Sequence, residues 1–340
     1  MSKKQALIGF GVSAFFLYLA FRKSDLGQIV SQVKEVDYRL LLIGLPVLIL
    51  SYLFRALRWR YLLLKTGGRL KVSSVFGATM IGFMFLNLLP FRLGDLARAY
   101  VLGRREGLSK SAVFATVVIE RLFDGFTLLI ILLTSLFFLP LPLRPEVMSW
   151  VRAFSYLGVA LFALILALVL LISFKRSLII RLAESLLTPL PQVKDRVVEI
   201  IDSFTTGLTT VSSFRLFMIV SFYSLLIWGV HAVYYWVMMF GFLSSEGTNL
   251  GLQVGFSGSL FVVGTIALGV MIPAGPAFVG TFELACIMAL SALGAAGATA
   301  ESYAIVAHTF QFLPVVMIGI IYLYVQQFTF KEISAGEEAA

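Results

Sequence analysis

Apolar runs recur along the whole chain, near residues 5–21, 39–54, 73–89, 112–139, 150–173, 215–243, 252–272, 276–296 and 302–328. Several exceed the roughly 18–20 residues that a helix needs to cross a bilayer. No soluble domain of 340 residues needs so many, and a mean hydropathy of +0.96 agrees. A spanning backbone must satisfy its own hydrogen bonds, which leaves helices or closed barrels, and runs of this length fit helices. The expected fold is an all-α polytopic membrane protein. One transmembrane domain covers residues 1–330, and a short cytoplasmic tail covers 331–340. The polar segments are too short for a second globular domain.

Against that background the stretch from Asn87 to Asp124 stands out. It places Arg92, Arg98, Arg104, Arg105, Lys110 and Arg121, with Asp95, Glu106, Glu120 and Asp124, among long hydrophobic runs. An ionisable side chain at bilayer depth costs about 2.5–3.5 kcal/mol on insertion scales. Such groups need partners, a wet cavity or a charged ligand. The net charge of +9 is concentrated in particular loops, which signals membrane topology and anionic headgroups rather than nucleic-acid binding.

Basic loops stay cytoplasmic, so the charge bias assigns sides. Residues 55–71 carry Arg55, Arg58, Arg60, Lys65, Arg69 and Lys71 with no acid and read as a cytoplasmic loop. Residues 92–110 and 174–215 are also basic and should share that side. They can do so only if 73–89 enters from the cytoplasm, breaks at Asn87-Leu88-Leu89-Pro90 and returns through 94–103. A re-entrant hairpin over 73–103 is therefore expected, with Pro90 stopping the first helix and Gly94 relaxing the turn.

A second hairpin, 252–296, turns at Pro273, Gly275, Pro276 and Gly280. In all, about six full spans and two broken or re-entrant hairpins are expected, with both termini cytoplasmic in the plasma (inner) membrane. Pro90-x-x-x-Gly94 before Asp95 and Pro276-x-x-x-Gly280 before Glu283 also resemble each other. Paired interrupted segments entered from opposite sides build midplane sites in inverted-repeat transporters; two unrelated turns would read the same. The first run, after Lys3 and Lys4, reads as an uncleaved signal-anchor. Residues 174–214 contain an amphipathic stretch suited to the inner membrane surface.

On the 112–139 helix, Thr116, Glu120, Asp124, Thr127 and Thr134 fall within about 80° of arc at 100° per residue, with Arg121 beside them. That stripe must face protein or water. It fits a structural ion-pair network with Arg92, Arg98 or Arg121. It equally fits a polar translocation path formed by Thr116, Glu120, Arg121, Asp124 and Glu283. Asn87, Arg92, Asp95 and Arg98, beside the first break, are candidates for a phosphate headgroup, because guanidinium forks suit phosphate oxygens. Glu283 would be neutral or paired with an arginine of the first hairpin.

His231 and His308 lack metal-ligand companions, and His308 reads as part of an interhelical hydrogen bond. The single Cys286 reads as an inert buried thiol. There is no phosphate-binding loop, nucleophile elbow or dinucleotide fingerprint, so no catalytic residue, metal or cofactor is expected.

The run Asn87-Leu88-Leu89-Pro90-Phe91-Arg92-Leu93-Gly94-Asp95, with Arg98-Ala99-Tyr100, Gly103 and Ile119-Glu120-Arg121-Leu122-Phe123-Asp124, resembles the lysylphosphatidylglycerol synthase transmembrane, or flippase-like, family. Pro273-Ala274-Gly275-Pro276 with Gly280 and Glu283 is similar to that family's second signature, and the resemblance covers roughly residues 5–328. It implies transbilayer movement of a phosphate-bearing lipid, as in the multiple peptide resistance factors. Those proteins add a cytosolic transferase domain, for which this chain is expected to have no room, so lysyl transfer is not expected. Membrane lipids are the expected partners, with a lipid-modifying enzyme alongside. Two other readings stand beside transport: the membrane part of an aminoacyl- or glycosyl-lipid transferase, and a non-transporting assembly partner.

Overall fold

A computed structural model describes residues 3–89, 92–139, 214–243, 247–272, 274–295, 297–329, 332 and isolated positions between 156 and 198. Pro90, Pro273, the 150–173 run and the amphipathic 174–214 segment as far as residue 213 lie outside the described set, apart from those isolated positions. The described residues form helices and turns, with one isolated bridge between Leu243 and Asn249. In chain order they are α1 (Lys3–Phe21), α2 (Leu26–Glu35), α3 (Tyr38–Leu62), α4 (Leu64–Gly67), α5 (Val72–Leu88), α6 (Gly94–Glu106) and α7 (Lys110–Phe138). Then follow α8 (Phe214–Met239), α9 (Leu250–Gly269), a 3-10 turn (Pro276–Phe278), α10 (Thr281–Ala292) and α11 (Gly297–Val325).

Local signals set the starts. Asp25 caps α2 by accepting from Gly27 N–H at 2.8 Å, Asp37 caps α3 by accepting from Arg39 N–H at 3.0 Å, and Ser109 caps α7 through Ala112 N–H. Each satisfies an amide that the first turn leaves without a helical partner. α3, α8, α9 and α11 are long and apolar enough to cross a membrane, and shorter apolar helices accompany them. Their outward faces carry large apolar side chains, such as Leu42 and Ile43 on α3, Phe222 on α8 and Met317, Ile320 and Ile321 on α11. An apolar surface of that extent suits lipid and not water.

The interior divides into two apolar clusters. One gathers Leu48, Tyr52, Tyr235, Phe261, Phe282 and Tyr303 from α3, α8, α9, α10 and α11. The other gathers Trp59, Phe85, Val101, Val113 and Val117 from α3, α5, α6 and α7. The polar site occupies the seam between them.

α5 and α6 fold back on each other. Ser74 bonds Glu106, a side chain at Gly82 would meet Arg98, and one at Gly94 would meet Leu86. Index sums of 180 for all three pairs define an antiparallel hairpin in steady register. A Cβ on Gly94 would lie 2.1 Å from the Gly82 carbonyl oxygen and 2.3 Å from the Leu86 amide nitrogen. The backbones touch there, and only glycine fits.

α9 and α10 form the second interrupted pair. Between them Ala277 (φ 56°), Phe278 (φ 59°) and Gly280 (φ 93°) are left-handed. In the first break Arg92 is also left-handed, at φ 58°. Arg92 stands two residues before Gly94, and Phe278 stands two residues before Gly280. The two breaks meet directly: Arg92 Nη2 donates to the Val270 carbonyl at 2.8 Å, and its guanidinium lies 5.5 Å from the Phe278 ring centre. Left-handed non-glycine residues cost of order 1–3 kcal/mol, and such strain clusters at ligand clamps and switch regions.

One expectation needs correcting. The 55–71 region is not a loop throughout, because α3 continues to Leu62 and buries Arg55 (5% exposed) and Arg58 (1% exposed). The turn pattern explains it. Tyr52, Arg55, Ala56, Trp59 and Leu62 share the inward face, and the apolar members hold the arginines inside.

Candidate functional site

α3 and α7 run antiparallel along their polar stripes. Trp59 Nε1–H donates to Thr116 Oγ1 at 2.8 Å, Arg58 reaches both Glu120 and Asp124, and Arg55 reaches Asp124. Arg58 Nη1 donates to Asp124 Oδ1 at 2.6 Å and to Ser224 Oγ at 2.7 Å, while Nη2 faces Glu120 Oε1 at 3.3 Å. From α6, Arg98 bonds the other Glu120 oxygen and lies with its guanidinium 4.6 Å from the Trp59 ring centre. Arg121 grips Asp95 with two bonds of 3.0 and 2.5 Å and approaches Asp124 at 3.5 Å.

Asp124 is the hub. It receives Arg58 and Trp228 Nε1–H (3.0 Å) on one oxygen and Arg55 and Arg121 on the other. Its lone pairs are filled, which is what lets a carboxylate remain ionised with only 4% of its residue surface exposed.

Five guanidiniums (Arg55, Arg58, Arg92, Arg98 and Arg121) surround three carboxylates (Asp95, Glu120 and Asp124). Each of the three carboxylates is paired with at least two arginines. Arg92 has no carboxylate within 4 Å among the described residues; a carbonyl and an aromatic face hold it instead. Arg55 is framed by Trp228, Phe83 and Tyr52 at 4.7, 5.5 and 5.9 Å, and its buried Nε–H has no partner among the described residues. The seam therefore carries a surplus of positive charge in an aromatic setting.

A cavity of about 500 Å³ opens onto this surplus. Its wall includes Arg55, Arg92 and Arg121, with Asn87, Asp95 and Asp124, and also His308 and Gln311. Of the residues singled out from sequence, Asn87, Arg92, Asp95, Arg121 and Asp124 reach the wall. Arg98, Thr116 and Glu120 stand behind it, locked in the buried pairs. Glu283 is also behind the wall. It meets no arginine of the first hairpin; it bonds the Gly280 amide and His308, which does line the cavity. Gly94 starts α6 at its contact with α5, Gly275 donates its N–H to Ser13 Oγ at 2.9 Å, and Pro276 begins the 3-10 turn. Among the described residues no three His, Cys, Asp or Glu converge as metal ligands would.

Arg55, Arg58, Trp59, Ser224 and Trp228 were not singled out from sequence. A signal existed for the two arginines, which stand at i and i+3 with inward Tyr52 and Trp59 on either side. Ser224, Trp228 and His231 similarly form an i, i+4, i+7 stripe on α8.

Helices of lipid-crossing length around a buried charged seam define a multi-pass membrane protein. The chain belongs to the family described as the lysylphosphatidylglycerol synthase TM region, which matches residues 6–319. It is 30% identical over 104 residues to Glycosyltransferase AglD of Haloferax volcanii, a stretch covering 31% of this chain and 17% of that one. It is 23% identical over 161 residues to UPF0104 membrane protein MJ1595 of Methanocaldococcus jannaschii, covering 44% of this chain and 47% of the other. The matched part is thus under half the length of either relative.

Proposed function

We propose that this protein moves a phosphate-bearing lipid between the leaflets of the plasma membrane, through about six spans and two re-entrant hairpins with both termini cytoplasmic. The candidates are a phospholipid, an aminoacyl-phospholipid or a polyprenyl-phosphate-linked lipid. The observation that carries the reading is the cavity wall, where three guanidiniums stand against two carboxylates already filled by arginine. A phosphate supplies the missing negative charge, and guanidinium forks match its oxygens. No unpaired carboxylate stands on the described wall, which favours anionic headgroups over an aminoacyl one. The headgroup would enter at Arg92 and pass Arg121 and Arg55 while the acyl or prenyl tails stay in lipid. Such a wet groove lowers the cost of carrying charge through hydrocarbon.

Proteoliposomes holding fluorescent phosphatidylglycerol test this by dithionite quenching. Arg92→Gln should slow translocation at least about tenfold, the equivalent of roughly 1.4 kcal/mol, with little loss of stability, since Arg92 sits in no ion pair among the described residues. A rate equal to wild type would remove Arg92 from the route, and a wild-type protein that moves no lipid would remove the reading.

The partial similarity to a protein named a glycosyltransferase supports a second reading, in which the chain is the membrane part of a glycosyl-lipid transferase or the partner of such a lipid-modifying enzyme. Sugar transfer to lipid by the purified chain given nucleotide-sugar would favour it over transport.

A further inference from the structure

The transport reading leaves open what drives net movement, and the second break holds a group suited to that task. His308 of α11 sits between two acceptors. Its Nδ1 is 2.5 Å from Glu283 Oε1, and its Nε2 is 3.0 Å from the Ala277 carbonyl oxygen. A carbonyl cannot donate, so Nε2 carries a hydrogen. The short contact at Nδ1 requires a second hydrogen between the ring and Glu283. The pair therefore holds one exchangeable proton, shared between the imidazole and the carboxylate. The Phe282 ring stacks on the imidazole at 4.2 Å and 22°, an arrangement favourable to a cationic ring.

That proton fastens three things at once. It joins α10 to α11 through Glu283. It fixes the ring that holds Ala277, in the left-handed turn. Through Gly280 N–H, which donates to Glu283 Oε2 at 2.6 Å, it ties down the start of α10. The turn so held carries Phe278, whose ring faces Arg92 of the first break. His308 lines the same cavity as the arginines, so the proton has a way in and out.

Resting on the proposed lipid movement, we infer that Glu283 and His308 form a proton-binding site whose occupancy couples headgroup passage to a proton gradient. In the loaded state the pair closes as seen here. When the proton leaves through the cavity, a carboxylate oxygen and a ring nitrogen lone pair face each other at contact distance. They separate, and the 276–280 turn is released from α11. Releasing that turn shifts Phe278 from beneath Arg92 and frees the cation for the headgroup. Few other charges or titratable groups compete near the pair. They are Cys286 on α10, Tyr235 on α8 (bonded to Gln311 of α11 at 2.6 Å) and Arg92 beyond Phe278. The described residues of α9 bring no titratable side chain, and among the α1 residues whose side chains are described the titratable one is Tyr18, which is exposed.

The full chain in proteoliposomes with fluorescent phosphatidylglycerol and an imposed pH step tests the inference. One proton coupled to each anionic lipid predicts an inner-to-outer ratio shifted up to about tenfold per pH unit. In Glu283→Gln and His308→Gln, whatever movement remains should lose its dependence on the gradient. A wild type that equilibrates lipid indifferently to the gradient overturns the proton site and leaves the flippase reading standing. So do variants that respond as wild type does.

If wild type moves no lipid, hydrogen exchange across residues 276–284 decides the site alone. After correction for intrinsic rates, protection in wild type should fall as pH rises and stay level in His308→Gln. Protection indifferent to pH in wild type overturns the proton site.

Discussion

Arg58→Met should cost about 3–5 kcal/mol of stability, the loss typical of removing one partner from a buried ion pair. Arg58 is 1% exposed and connects Asp124, Glu120 and Ser224 through two nitrogens. Methionine fills much of the volume and supplies no donor. Glu120 would keep Arg98 alone, and Asp124 would keep Trp228 with two longer arginine contacts of 3.5 Å. Arg58→Lys should recover part of the loss at best, because one ammonium cannot reproduce a planar fork spanning two carboxylates. The control is Arg121→Gln. That side chain is 28% exposed on the cavity wall, so solvent softens its removal, and the effect should fall on lipid movement before stability. Denaturant titration of purified protein in micelles, beside the translocation assay, separates the two effects. An Arg58→Met protein as stable as wild type would mean that the seam is not the structural keystone described.

The contrast also shows how one network can be both scaffold and route. Arg58, Arg98 and Glu120 are sealed behind the wall, and their mutual pairing ties α3, α6 and α7 together. Asp95 and Asp124 reach back to Arg98 and Arg58, pair with Arg121 and Arg55 in front, and all four face the cavity. A headgroup phosphate can thus trade places with a wall carboxylate without leaving the sealed pairs bare. Buried ion pairs are weak evidence for net stability, but they are strict about geometry. Here the geometry they enforce is that of the cavity wall.

Much of this was legible in the sequence, in a specific sense. The α7 stripe of Thr116, Glu120 and Asp124 follows from helical period alone, because lipid forbids such a face from pointing outward. The interruption near Asn87 follows from backbone chemistry. What failed was the fate of Arg55 and Arg58. Counting basic residues assigns the end of an apolar run to a loop, although two inward turns with Tyr52 and Trp59 continue the helix. The count finds the side of the membrane and is blind to depth. Partner choice was also out of reach. Glu283 could equally have met an arginine, and its pairing with His308 depends on how α10 docks on α11. The left-handed Arg92 and its bond to the Val270 carbonyl arise where two distant breaks touch, which no local pattern encodes.

Gly94→Ala should be as damaging as the loss of Arg58, by way of the backbone. The added methyl carbon would sit 2.1 Å from the Gly82 oxygen, 2.3 Å from the Leu86 nitrogen and 2.8 Å from the Leu86 Cα. All three are main-chain atoms, so no rotamer change relieves the clash, and α5 and α6 must part. Overpacking against mobile side chains costs about 1–3 kcal/mol, and a rigid backbone contact should lie at or above the top of that range. The consequence reaches the site. Asp95 and Arg98 follow Gly94 in α6, so separating the helices withdraws Asp95 from Arg121 and Arg98 from Glu120 together. Stability and lipid movement should fall in parallel, unlike the split expected for Arg121→Gln. Gly229→Ala on α8 supplies the comparison, because a Cβ there meets nothing within 4 Å. It should be neutral, or stabilising by up to about 1 kcal/mol from helix propensity. If Gly94→Ala behaved like Gly229→Ala in the same denaturation and flux measurements, the close approach of α5 and α6 could not be what aligns the charged seam.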